Sequence, residues 1–217
     1  MSSSPTRSFG LARPILLLLL TLLLPSFATA ATIEAYASSF TGDPLSVRIE
    51  IDDEREDGHL VITLSVDDDE NIADLRGFFA QVSDESLLPG LSVTGDLITS
   101  SAFEANAVSN LGRGSNLNGG GTPCACDLGI EIGSPGAGKD DIQSVTFTLS
   151  HASESLDVSF FAGEEFGVRA TSVGGDKGGR NGSSKLIGVV PEPTTGVLMG
   201  LGLAVLARGH RRARDAR

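Results

Sequence analysis

Tryptophan is absent from this 217-residue chain, tyrosine occurs once, at Tyr36, and cysteine and methionine occur twice each. A sugar-binding platform of aromatic faces therefore has almost nothing to be built from. Two cysteines make no disulfide framework, so a packed core must do the stabilising. The signatures GxSxG, HExxH and SxxK are missing as well. His59 and His151 stand alone on strand-like stretches, and no carboxylate pair stands out for glycoside hydrolysis. No catalytic residue is nominated and the chain is read as a non-enzyme. A hydrolase with unrecognised carboxylates is the alternative from that class.

Basic charge is scarce in the middle of the chain. Residues 31–190 carry 9 Lys plus Arg against 26 Asp plus Glu, a net of −17. That balance argues against nucleic acid or an anionic membrane surface as partner and leaves cation binding open. The first 30 residues differ. Arg7 and Arg13 precede the leucine-rich run 15–24, and Ala28-Thr29-Ala30 offers small residues before Ala31. This is the order of a helical secretory signal peptide, cut between Ala30 and Ala31. No cysteine follows the cut to take a lipid, and twin arginines are lacking, which points to the general secretion route.

What remains, 31–190, is long enough for one domain. Leu45, Val47, Ile49 and Ile51 alternate with polar residues, as do Leu60, Ile62, Leu64 and Val66, and an acidic turn at 52–58 separates them. Period two predicts two strands paired as a hairpin. Further strands are expected at 75–82, 87–93 (broken by Pro89-Gly90), 142–150, 156–161, 166–173 and 185–189. The glycine-rich stretch 110–121 reads as a long loop. Seven to nine strands with short turns and no helix predict an all-β fold, an antiparallel β-sandwich.

Three features of this segment invite chemistry. Gly133 to Asp140 nearly matches the phosphate-binding loop, but Asp140 replaces the hydroxyl residue and would repel phosphate, and a strand rather than a helix follows. Asp67, Asp69, Asn71 and Asp74 could offer oxygens to Ca²⁺, with Asp52, Asp53 or Asp57 of the neighbouring turn as further donors. An EF-hand fails there, because Ile72 stands at the glycine position and Phe78 at the bidentate glutamate. Solvated hairpin turns are the plainer reading. Cys124 and Cys126, one residue apart, suit a tight disulfide in an oxidising compartment; a free dithiol or a metal-binding pair are the alternatives.

The last 27 residues, 191–217, have a different grammar. Pro191-Glu192-Pro193 forces an extended, solvent-facing segment. Residues 194–207 are uncharged, and as a helix would reach roughly 21 Å, short of the ~30 Å hydrocarbon core. Arg208, Arg211 and Arg212 begin a basic tail, which favours a cytoplasmic C-terminus. A proline break, a short apolar helix and an arginine cluster, in that order, resemble the PEP-CTERM sorting domain. The resemblance implies recognition and processing by an exosortase-type membrane protease, with transient insertion of the short span and removal of the tail near Pro191–Pro193. It also implies a bacterium with an outer membrane, and passage through the inner membrane to the cell surface or extracellular matrix. The preferred function is a structural or interaction protein meeting matrix polysaccharide or another surface protein, with no cofactor. A Ca²⁺-dependent binding module is the second reading.

Overall fold

The computed structural model describes residues 31–67, 71–119, 124–134, 140–175 and 179–192. The signal peptide and the apolar span at 194–207 lie outside them. Among the described residues no helix is long and apolar enough to cross a membrane.

Twelve strands follow in order: β1 (Thr32–Gly42), β2 (Ser46–Asp52), β3 (Leu60–Val66), β4 (Ile72–Ala80), β5 (Leu91–Thr94), β6 (Ile98–Phe103), β7 (Asn110–Gly112), β8 (Ser115–Asn116), β9 (Leu128–Ile132), β10 (Ser144–His151), β11 (Glu165–Gly174) and β12 (Gly182–Val189). Ten of them form one antiparallel sheet in the order β5-β10-β3-β2-β1-β12-β11-β4-β9-β6. Its two edges, β5 and β6, are joined by only residues 95–97, so the sheet curls into a nearly closed barrel. The all-β class is as expected. The sandwich is corrected to a single, nearly closed sheet, because local alternation reports which face a residue takes and not how the faces close on each other.

The period-two segments form as read, and Ile49 lies opposite Leu64 in the β2–β3 hairpin. Elsewhere the reading is revised. Residues 158–160 are a single 3-10 turn, started by Asp157, whose side chain accepts a hydrogen bond from the Ser159 amide. Residues 85–90 are a second such turn, capped in the same way by Asp84. The 110–121 loop contains the small β7–β8 hairpin. β1, β6 and β9 were not expected. Their inward residues include the small Ala35 and Ala37 of β1, and polar residues crowd β6, so the hydrophobic signal is faint.

The interior of the barrel is aliphatic around a phenylalanine knot. Phe78 sits at its centre with ring centroids 5.9 Å from Phe147, 6.2 Å from Phe166 and 6.5 Å from Phe161. β4 is buried on its other side too. Its outward Phe79 anchors a second cluster with Val108, Leu117, Cys124 and Cys126, formed as residues 104–119 and 124–127 lie over the outside of β4 and β9. Two glycines make room for that flap. Phe79 pairs across the sheet with Gly129 on β9 and with Gly167 on β11. A Cβ on Gly129 would meet Val108 Cγ1 at 2.7 Å, and one on Gly167 would run into Leu117 Cδ1.

Gly129→Val should therefore lift the flap without touching the barrel interior. The expected loss is about 1–3 kcal/mol, the usual cost of overpacking. Urea unfolding measures it, and limited proteolysis should show new cuts confined to residues 104–127. An unchanged digestion pattern would mean that the flap does not depend on this clearance.

Candidate functional site

Among the described residues, several turn carboxylates already have partners. Asp52 accepts from the amides of Glu54 and Arg55. Asp43 accepts from Ser183 N, and Asp53 from Ala31 N at 2.6 Å and Val158 N at 3.1 Å. Buried Asp127 takes Val82 N at 2.8 Å and Asn106 N at 2.7 Å, pinning the start of the flap to the barrel. Aspartates that accept backbone N–H bonds are turn-forming elements, which accounts for part of the acidity.

Of the Ca²⁺ candidates, Asp67, Asn71 and Asp74 fall among the described residues. Asp69 lies outside the described residues. Asp74 is 1% exposed, lies on the face of β4 opposite its core neighbours Ala73 and Leu75, and accepts from Ile142 N at 3.1 Å, while half-buried Asn71 donates to Pro44 O. The acids of the 52–58 turn sit at the other end of β3 from the 67–71 turn, so the two cannot share an ion. Among the described residues, no three His, Cys, Asp or Glu side chains are placed to hold a metal. Cys124 and Cys126 are joined as a disulfide, their Cα atoms 5.0 Å apart, inside the cluster beneath the flap.

A different constellation occupies the end of the barrel where β4 begins and β11 ends. β4 carries an extra residue there. Arg169 pairs with Gly77 and Ala170 with Leu75, so Arg76 is bulged out of the ladder. β11 carries another at Ser172, where its pairing with both β4 and β12 slips and φ is 51°. The two bulges open a cavity of about 320 Å³ lined by Arg76, Arg113, Ser172 and Arg180. Arg76 is 3% exposed. Its Nη2 lies 3.8 Å from Glu131 Oε1, and neither Arg76 Nη1, Nη2 nor that oxygen has a hydrogen-bond partner. Arg180 donates to both oxygens of Asp141 and, through Nε, to Ser172 O at 3.0 Å. Its guanidinium holds the Asp141 carboxyl below the ordinary aspartate range. Arg169 braces the rim, donating from Nε to Gly114 O at 3.1 Å and from Nη1 to Ser184 O, and burial lowers its pKa. None of these arginines carries a sequence motif. Only the fold brings them together.

At the opposite end of β12 the chain leaves the barrel. Val190 is buried, donates to Glu164 O at 2.9 Å and accepts from Gly163 N at 2.8 Å. Pro191 and Glu192 follow at once on the surface. Pro193, Arg208, Arg211 and Arg212 lie outside the described residues, as do Ala28 and Ala30.

An all-β domain whose last strand runs straight into a proline-flanked export tail is of the class delivered through a membrane. The chain carries a PEP-CTERM protein-sorting motif over residues 189–212, starting at the final residue of β12. That motif marks an exported protein sorted by exosortase-type machinery, bound for a surface or extracellular location. No curated protein and no solved structure matches the chain.

The buried carboxylate of Asp74 yields a pH test. Burial raises its pKa, against the Ile142 amide and Arg76, which lower it; Asp140 and Asp141 add to the rise. Above the unfolded value the native state therefore keeps a proton that the unfolded chain has released, and stability falls as pH climbs through that window. Asp74→Asn retains the acceptor for Ile142 N and should abolish this fall. Its melting temperature should gain on the wild type from about pH 4 upward and level off once the pH has passed the raised native value. A constant difference across the series would show that the carboxylate ionises there without penalty.

Proposed function

We propose that this chain is a non-enzymatic structural or interaction protein of the cell surface or extracellular matrix of an outer-membrane bacterium. Exosortase-type processing near Pro191–Pro193 would free the 31–190 domain from its tail, and matrix polysaccharide or another surface protein would be its partner. The observation that carries the reading is the junction itself. The sorting motif starts at the last residue of β12, and one buried residue later the polypeptide is exposed. A processing enzyme would thus meet a substrate segment with a folded domain directly behind it. The Ca²⁺-dependent alternative has less support, since Asp74 is committed to Ile142 N.

Intact mass of the protein from its host tests the reading. A C-terminus near Pro191 is expected, with any excess mass identifying an attached group; a species ending at Arg217 would sink it. Reduction should add about two daltons if the Cys124–Cys126 bond is present in the exported protein.

The N-terminus gives a second test. Cleavage after Ala30 would turn the Ala31 amide into an ammonium 2.6 Å from Asp53 Oδ1. Asp53→Asn should then cost the processed protein roughly 1.5–3 kcal/mol, as for a hydrogen bond to a charged group. Chemical denaturation measures the loss. A loss that stays the same when the Ala31 amine is acetylated would show that no ion pair forms there.

A further inference from the structure

We propose that Tyr36 and Val189 form a docking face for the membrane protease that cuts the tail, met by an apolar ridge on that enzyme. The inference rests on the processing reading above. Among the described residues three large hydrophobic side chains are exposed: Tyr36 at 51%, Val189 at 57% and Leu97 at 39%. Two of the three stand together where the chain leaves the barrel. Ser38 of β1 pairs with Ile187 of β12, and two residues further that register sets Tyr36 beside Val189. Gly188 agrees with this approach, since a Cβ there would run into the Tyr36 carbonyl oxygen. Both side chains lie on the outer face, because Ala35, Ala37 and Leu186 take the inner one. Leu97 sits at the other end, in the β5–β6 connection.

The occupant follows from where the chain is cut. Pro191 to Pro193 begin two residues after Val189, so the bond to be cut lies within roughly 7–13 Å of it. A protease usually holds the residues before such a bond as a free extended strand. Here those residues are not free. Val189 pairs with Glu165 on β11, while Val190 donates to Glu164 O and accepts from Gly163 N. Contacts on that side of the cut must therefore be made with the folded surface itself. Tyr36 and Val189 are the apolar part of that surface.

Tyr36 is built as an anchor. Its hydroxyl donates to Glu34, and Glu34 accepts from Arg48, the residue opposite Tyr36 on β2. The ring is thus held before a partner arrives, which lowers the ordering cost of binding. Tyrosine is also among the residues that carry most of the energy at interfaces. Charge narrows the partner further. Glu34 and Glu165 flank the pair, Glu164 and Glu192 stand at the exit, and Arg48 is already engaged by Glu34. An apolar ridge with basic residues at its margin fits this face, whereas an anionic lipid surface is repelled by it.

Pulse–chase in the producing host, with intact mass identifying each species, measures conversion of the full chain to the form ending near Pro191. Tyr36→Ser should slow conversion about tenfold, as for the loss of one interface anchor. Tyr36→Phe keeps the ring and should retain most of the rate. Leu97→Ser removes an exposed apolar side chain at the opposite end and should change nothing. Thermal melts establish that the variants are folded, and Tyr36 lies far outside residues 189–212, so its effect is separate from the motif. A wild-type rate for Tyr36→Ser, equal slowing by Leu97→Ser, or a Tyr36→Phe as slow as Tyr36→Ser would overturn the docking face while leaving processing intact. A wild-type protein that keeps Arg217 would remove the processing reading, and the docking face with it. The processed domain should stay in solution beside phosphatidylcholine vesicles. Sedimentation with them that Tyr36→Ser abolishes would assign the pair to the bilayer and overturn the protease as its partner.

Discussion

The structure depends on β4 being buried on both faces. Most strands of a barrel need only one apolar face, because the other meets water. β4 presents Phe78 to the interior and Phe79 to the flap, so one dipeptide ties the two hydrophobic clusters together. The glycines beside Phe79 are the necessary complement. With side chains at 129 and 167 the ring would be walled in and the flap could not descend. The disulfide within the flap belongs to the same cluster. A pair two residues apart restricts little of the unfolded chain by loop closure, so its contribution is local order.

Acidity acquires a structural meaning in a fold almost without helices. A barrel of this kind turns many times, and each turn leaves amides that no ladder bond satisfies. Asp43, Asp52, Asp53, Asp84, Asp127 and Asp157 each accept such amides with their side chains. The negative charge of the domain is thus in part a by-product of turn chemistry, and it also keeps an exported β protein from associating edge to edge.

This explains what was legible in the sequence. The β2–β3 hairpin could be read because its residues alternate cleanly, and the tail because its parts are contiguous. β9 was hidden because Gly129 and Glu131 interrupt its pattern; both serve neighbours that are distant in the chain, Val108 and Arg76. The two acidic turns flank β3 and so lie at its opposite ends, which spacing along a chain alone does not reveal. The arginine cavity could not have been read at all. Its members are separated by up to 104 residues, and two of its features, the bulges at Arg76 and Ser172, exist only as slips between paired strands.

The same strand then relates the two ends of the molecule. β12 starts at Gly182, which lines the cavity, and ends at Val189, where the sorting motif begins. Eight residues of strand separate those points by roughly 26 Å. β1 runs antiparallel beside β12, so the chain enters the barrel at Ala31 on the same end from which it leaves at Val190. Both terminal connections therefore lie at one end and the arginines at the other. A domain held by either terminus would keep the cavity pointing away from the point of attachment. Cutting the tail would alter nothing around Arg76. In such an arrangement the export signals and the arginine-lined end impose no constraint on each other, because the barrel between them is one rigid ladder of backbone hydrogen bonds.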